Sequence, residues 1–324
     1  MKNRNYGALK EAHPYLGDFF LTRGLAEPDQ AESVADYLKG LSEAFLEEKG
    51  ILRDSFEEEM ELFIKAMESL GQKQSLSTLE IRGGWGKDGA SEPVESLLIR
   101  TGEVVSVVGP TGSGKSRLLE DIECLAQADT PTGRNILIDG GEPEKGRRFS
   151  LDRKMVAQIS QNMNFVMDCS AYEFVKLHGE SRMIRDPEET AREVVELANE
   201  LAGEKFSGDT ALTSLSGGQS RALMIADTAC LSRSPIVLID EIENAGVDRK
   251  RALELLVKQE KMVFLATHDP LLALMADRRI VINGGAMAKI IETEESEREA
   301  LLELEKADNL LFRARETLRY GKTL

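Results

Sequence analysis

Positive charge is what this chain is short of. Its 324 residues carry 41 Lys and Arg against 57 Asp and Glu, a formal net charge of -16. Grip on a phosphate backbone at physiological salt rests on clustered Lys and Arg, so no DNA or RNA partner is expected. Long apolar runs are missing too. No stretch approaches the roughly 20 residues that cross a bilayer, and the opening MKNRNYGALKEAHPYLG holds no apolar run of the kind a secretion signal needs. The expectation is a cytoplasmic protein, with a peripheral place on the cytoplasmic face of a membrane left open. Cysteine is scarce: Cys124, Cys169 and Cys230 are scattered without metal-ligand spacing, which reads as small buried residues. There is a single tryptophan, Trp85, and no internal repeat or low-complexity segment.

What the chain does have is enough hydrophobic residue, 41%, for one substantial core with helical appendages. Residues 1–78 read as an acidic helical extension. Asp29 with Glu32 has a capping-box pattern ahead of Val34, Leu38, Leu41 and Phe45 on one helical face. Ser55 with Glu58 repeats it ahead of Phe56, Met60, Phe63, Met67 and Leu70, with Gly71 as the stop. The two stripes suit a helical hairpin, either a cap over the main domain or a module that docks a partner. From about residue 79 the texture turns to short β-rich runs. Glu103–Val108, Asn135–Ile138, Pro235–Ile239, Val263–Thr267 and Ile280–Ile282 read as buried strands with helical patterns between several of them, an α/β domain with a mainly parallel sheet over 79–292. Residues 162–214 interrupt that alternation as an inserted helical subdomain. The stretch 293–324 reads as a C-terminal helix, whose Leu304, Ala307, Leu311, Ala314 and Leu318 make a seam for a short coiled coil or for its own domain.

Two places carry chemistry by residue type alone. The strand ending at Val108 runs into Gly109-Pro110-Thr111-Gly112-Ser113-Gly114-Lys115-Ser116, and a helix follows through Arg117, Leu118, Leu119 and Ile122. This is the phosphate-loop pattern in its strand-loop-helix context. Glycines let backbone N–H groups turn toward phosphate oxygens, the helix start adds its positive end, Lys115 brings a point charge, and the Ser116 hydroxyl suits Mg²⁺. The second place is Pro235–Glu241, an apolar strand that ends in two carboxylates, Asp240 and Glu241. Beside a nucleotide, Asp240 can hold the Mg²⁺ shell while Glu241 polarises an attacking water.

With Leu215-Ser216-Gly217-Gly218-Gln219 upstream of that strand, the chain resembles the ATP-binding cassette (ABC) ATPases, whose signature motif these residues match. The resemblance spans 79–290. It implies a phosphate-loop NTPase fold, the cofactors ATP and Mg²⁺, and ATP hydrolysis at a dimer interface. It further implies that Gln161 resembles the glutamine sensing Mg²⁺ and water, and His268 the switch histidine that contacts the γ phosphate. Trp85 is similar in position to the adenine-stacking aromatic, and residues 109–117 together form the nucleotide cradle. In the family two cassettes pair head to tail, so Ser216, Gly217, Gly218 and Gln219 of one subunit cover the ATP held by the other. One motif set per chain implies a homodimer, with a heterodimer as the alternative.

The sequence departs from the family at two points. Ile242–Asp248 is one residue longer than the usual stretch after the two acids, and Asp227 stands where arginine is common. Two roles stay open. One is the energising subunit of a transporter docked on a separate transmembrane partner, which the run from Gln161 to Phe174 resembles. The other is a soluble ABC ATPase that assembles, remodels or regulates a protein partner.

Overall fold

The computed structural model describes residues 5–71, 76–144, 148, 154–160, 165–240, 246–319 and 321–323. They fall into two compact units: one holds the N-terminal helices together with Arg182–Arg185, the other everything else.

In the N-terminal unit the described residues form helices α1 (Tyr6–Ala12), α2 (Leu16–Thr22), α3 (Val34–Gly40), α4 (Glu43–Glu48) and α5 (Arg53–Gly71). Tyr6, Phe19, Phe20, Phe56, Met60 and Ile64 are buried in their shared core. Phe19 meets Phe56 edge to face at 5.2 Å and Tyr6 meets Phe20 at 5.4 Å, the geometry ring quadrupoles favour. The helix expected to run from Asp29 past Leu41 to Phe45 is in fact two. The Ser33 hydroxyl accepts the Asp36 N–H to start α3, the Ser42 hydroxyl accepts the Phe45 N–H to start α4, and Leu41 between them is extended. Two serines one turn ahead of apolar residues outcompete one long helix, because Gly40 weakens continuation by about 1 kcal/mol. Asp29 makes only a local turn to the Ala31 N–H. Ser55 lies inside α5, where its hydroxyl meets the Leu52 carbonyl and the Glu59 carboxylate, so it is no cap.

The second unit is built on two sheets. In chain order its elements are β1 (Thr78–Arg82), β2 (Ser96–Arg100), β3 (Val104–Val108), α6 (Lys115–Glu123), β4 (Asn135–Ile138), β5 (Val156–Ile159), α7 (Ala171–Ser181), α8 (Pro187–Leu201), α9 (Gly217–Cys230), β6 (Ile236–Asp240), α10 (Arg249–Lys258), β7 (Met262–Ala266), α11 (Pro270–Met275), β8 (Arg278–Asn283), β9 (Ala286–Glu292) and α12 (Glu295–Arg319). One sheet has the order β5-β6-β7-β3-β8-β9, parallel except for β9. Its middle strands are nearly continuous apolar runs because both faces are covered: Val105, Val107, Leu238, Phe264 and Ile280 have no exposed surface. Each such burial contributes on the order of 1.5–3 kcal/mol. The smaller sheet, β2-β1-β4, is antiparallel and takes Asn135–Ile138, one of the runs read as part of the parallel array. A run of four residues has no periodicity that tells the two apart.

Helix α12 is tied to its unit by ion pairs, and of the expected seam Leu304 and Ala314 are half-buried. Arg279 meets Glu297 at 2.6 Å and Lys250 meets Glu305 at 3.3 Å, while Ala307, Leu311 and Leu318 of that seam are exposed.

The two sheets are joined through one fully buried cation. Arg134 Nη1 donates to Asp121 Oδ2 at 2.8 Å, Nη2 donates to Glu92 Oε1 at 2.5 Å and Nη2 also reaches the Gly285 carbonyl at 2.8 Å. Glu92 in turn accepts the N–H groups of Gly84 and Met287, and Asp121 accepts the Thr132 hydroxyl. Replacing Arg134 with Met strands two buried carboxylates, and the expected loss of stability is about 3–5 kcal/mol by urea melting; a loss under about 1 kcal/mol would show that the cluster does not hold the sheets together.

Candidate functional site

Strands β5, β6, β7 and β3 run parallel, so the loops that leave their C-terminal ends share one edge. Ligands of open α/β sheets sit at such an edge. The register aligns the chemistry along it. Asp240, the last residue of β6, pairs with Ala266 of β7, and Ala266 pairs with Val107 of β3. Gly109 therefore starts its loop two residues beyond Val107, and His268 lies two beyond Ala266. With neighbouring strands about 4.8 Å apart, Asp240, His268 and the glycine loop occupy three adjacent places on one edge. The Thr267 N–H donates to the Val107 carbonyl at 3.2 Å, which fixes the β7 exit to β3. Asp240 is half-buried and His268 is exposed.

The glycine loop has the backbone its sequence requires. Gly109 has φ of 153°, and a Cβ there would fall 2.4 Å from the Ile282 carbonyl oxygen; Gly114 has φ of 110° and would press on Gly285 at 3.1 Å. Side chains are excluded where the loop passes β8. Gly112, with φ of 75°, has open space around it. Lys115 opens α6 and turns its Nζ back to the Gly109 carbonyl at 2.7 Å and the Pro110 carbonyl at 3.4 Å, along the inside of the loop. Thr111 and Ser116 are exposed. The Ser113 hydroxyl is buried without a hydrogen-bond partner among the described residues, a polar atom that a phosphate oxygen can satisfy. Arg117 points along α6 to Glu120 at 2.8 Å.

Two contacts to this loop were missed in the sequence. Lys87 Nζ donates to the Gly112 carbonyl at 2.7 Å, and its own N–H goes to the Gly284 carbonyl. The Gly285 N–H donates to the Ser113 carbonyl at 2.8 Å. Nothing near Lys87 in the sequence marks it, since the glycine turn it grips is almost 200 residues away. Trp85, two residues before Lys87, is half exposed at 52%, and its indole lies over Gly133, where a Cβ would come 2.5 Å from Nε1. The indole is thus partly open to solvent rather than sunk in the core.

The signature residues sit in the helical segment. Ser216 is the N-cap of α9: its hydroxyl accepts the Gln219 N–H while the Gln219 side chain accepts the Ser216 N–H, a complete capping box. Gln219 also reaches the carbonyls of Glu204 and Lys205. Ser216 and Gly217 are exposed at this helix start. The acid at 227 has a structural account: Asp227 is buried on α9 and meets Nδ1 of His178 on α7 at 2.8 Å, so the two helices are joined by a side-chain pair. Gln161 and Glu241 lie outside the described residues.

The donors on this edge fit magnesium. The Ser116 hydroxyl and the Asp240 carboxylate are hard oxygens, and no group of three or more His, Cys, Asp and Glu among the described residues could cage a metal. Mg²⁺ is typically held in this way, by one or two side chains plus substrate phosphates.

A profile of the ABC transporter family matches residues 95–244. An uncharacterized ABC transporter ATP-binding protein of Methanocaldococcus jannaschii is 51% identical over 249 residues, which is 77% of this chain and 95% of that protein. A macrolide export ATP-binding/permease protein of Campylobacter jejuni is 30% identical over 220 residues, 64% of this chain but 33% of its own length. Among solved structures, a subunit of an ABC transporter complex from Clostridium perfringens superposes with a TM-score of 0.52 at 22% identity, over 76% of this chain and 100% of that one, a likeness of fold. The chain belongs to the ABC transporter ATP-binding proteins and is an ATPase on the α/β phosphate-loop fold.

Proposed function

We propose that this chain binds Mg-ATP at Gly109–Ser116, hydrolyses it at the interface of a dimer, and serves as the energising subunit docked on a separate membrane-spanning partner. The alignment of Gly109, Asp240 and His268 on one sheet edge is the observation that carries the reading. In it, Lys115 leaves the loop carbonyls for the β and γ phosphates, and Trp85 stacks on the adenine. Ser116 and Asp240, with Gln161, hold Mg²⁺, which when bound neutralises charge on the phosphate oxygens. Glu241 takes the proton of the attacking water, and His268 contacts the γ phosphate. Ser216, Gly217, Gly218 and Gln219 of a second copy close the site from the other side, their helix start facing the anion. A dimeric ATP-binding cassette in a post-hydrolysis state with ADP and Pi, 24% identical with a TM-score of 0.50, supports the two-subunit arrangement.

The membrane partner is argued from surface chemistry as well as from the relatives. Among the described residues no helix is long and apolar enough to cross a membrane. Ahead of α7, however, Val166 is 98% exposed with Met167 next to it in the chain, and Leu177 is exposed on α7. Phe165, next in the chain to Val166, makes an edge-on contact with Phe174 of α7 at 5.3 Å. Large apolar side chains exposed in one segment favour a place for another protein.

Three measurements test this reading. Lys115→Ala should weaken ATP binding by about 10- to 100-fold, since a charge-assisted bond to phosphate contributes about 1.5–3 kcal/mol. Glu241→Gln should bind ATP normally and turn over about 10²- to 10⁴-fold more slowly, the usual contribution of a general base; near-normal turnover would show that another group takes the proton. Glu241→Gln protein trapped with Mg-ATP and recovered in mild detergent should carry a stoichiometric integral membrane protein, whereas a soluble partner in its place would make the chain an assembly or regulatory ATPase.

A further inference from the structure

The stretch beyond Glu241 ends at Asp248, and the next residue, Arg249, joins three distant elements with one guanidinium. Its Nη1 donates to Oδ2 of Asp269 and its Nη2 to Oδ2 of Asp308, the latter at 2.5 Å. Arg249 is the first residue of α10, Asp269 is the N-cap of α11, and Asp308 lies midway along α12. The Arg249 and Asp269 side chains are only 20% and 16% exposed, so their pair is shielded from solvent, while Asp308 is 38% exposed. Lys250 and Glu305 add a second bridge between α10 and α12 at 3.3 Å.

Asp269 directly follows His268. Its N–H donates to the Thr267 hydroxyl at 2.9 Å, its Oδ1 accepts the Leu271 N–H at 2.8 Å, and its Oδ2 is the atom that takes Arg249. The short turn bearing His268 is therefore held on its β7 side by β3, through the Thr267 N–H, and on its α11 side by Asp269. A carboxylate that caps a helix with one oxygen can rotate about it; a guanidinium on the other oxygen sets the plane.

We infer that Arg249 is a positioning residue for ATP hydrolysis, acting through Asp269 on His268, and that α12 sets the rate through Asp308. The inference rests on the reading of His268 given above. The planar fork matters, because a lysine offers a single point charge and cannot hold two carboxylates in separate directions. Removing Arg249 leaves Asp269 and Asp308 as like charges that had shared one cation, which pushes the His268 turn away from the edge. A misplacement of about 1 Å far from the chemistry can lower a rate by up to about 100-fold.

The test is steady-state ATP hydrolysis by the full chain, with the melting temperature of each variant measured alongside. Arg249→Ala should lower kcat at least about tenfold and leave KM for ATP within about twofold, the pattern of a group that acts only on the transition state. Arg249→Lys should recover part of the loss. Asp308→Asn, a half-exposed change that leaves the fold intact, should lower kcat about threefold through Arg249 alone, and it carries the test with Arg249→Lys if Arg249→Ala does not fold. His268→Ala is the control. If it abolishes turnover while Arg249→Lys and Asp308→Asn keep wild-type kcat and lose only melting temperature, Arg249 is merely structural and the inference falls alone. Wild-type turnover in His268→Ala overturns the reading of the site together with the inference.

Discussion

A guanidinium with no access to water must find its counter-charges inside the protein, and Arg134 takes them from two separate elements. Asp121 stands on α6, the helix that follows the phosphate loop, and Glu92 stands in the stretch between β1 and β2. The same cation reaches the Gly285 carbonyl in the turn between β8 and β9. That turn gives its N–H to Ser113, and its other glycine carbonyl holds the Lys87 N–H. Desolvating one positive and two negative groups is costly unless they are paired and hydrogen-bonded, so the cluster favours one arrangement of these pieces. The glycine loop, held by Gly285 and Lys87, is positioned by the same buried charge.

The parallel sheet supplies the other constraint. Its middle strands are buried on both faces, and their sequences are apolar almost throughout, with Ser106 of β3 buried only by donating to the Ala273 carbonyl. Chemistry is therefore forced to the C-terminal edge, where Asp240 ends β6 and where the β3 and β7 loops emerge. Thr267, buried at the exit of β7, ties that edge back to Val107. Buried strands give the edge rigidity, and the loops give it reach.

This logic explains which parts could be read from the amino acids. Gly109–Ser116 and Pro235–Asp240 were legible because a few consecutive residues hold the whole pattern: an apolar run, a forced turn, a charge. Lys87 was not legible, since its partner Gly112 is a backbone carbonyl that any residue would supply. The ion cluster was hidden for a similar reason. Glu92, Asp121 and Arg134 look like surface charges of an acidic chain until the fold removes their solvent. In the N-terminal unit Phe56 and Met60 of the α5 stripe were visible, but buried Ile64 was not part of it, and the caps were not visible. Ser33, Ser42, Asp29 and Ser55 all have cap chemistry, and only tertiary packing decides which of them stands at a helix start.

The longer stretch after Glu241 gains meaning from where it exits. The Gly203 N–H donates to the Gly246 carbonyl at 2.9 Å and the Asp248 N–H to the Leu201 carbonyl at 2.8 Å, so Val247 pairs with Ala202 in a short antiparallel bridge. Leu201 ends α8, the helix packed against α9, whose capping box holds Ser216 and Gln219. Gly246 also lies against Gly218, whose Cα is 4.0 Å from the position a Cβ would take on Gly246. The start of α10 is thus bonded to the segment that carries Ser216 and Gly218. One residue later Arg249 bonds to the turn behind His268. A displacement of Gly246–Arg249 cannot be absorbed locally, because backbone bonds fix it on one side and a shielded ion pair on the other. It must move the signature helix, the His268 turn, or both.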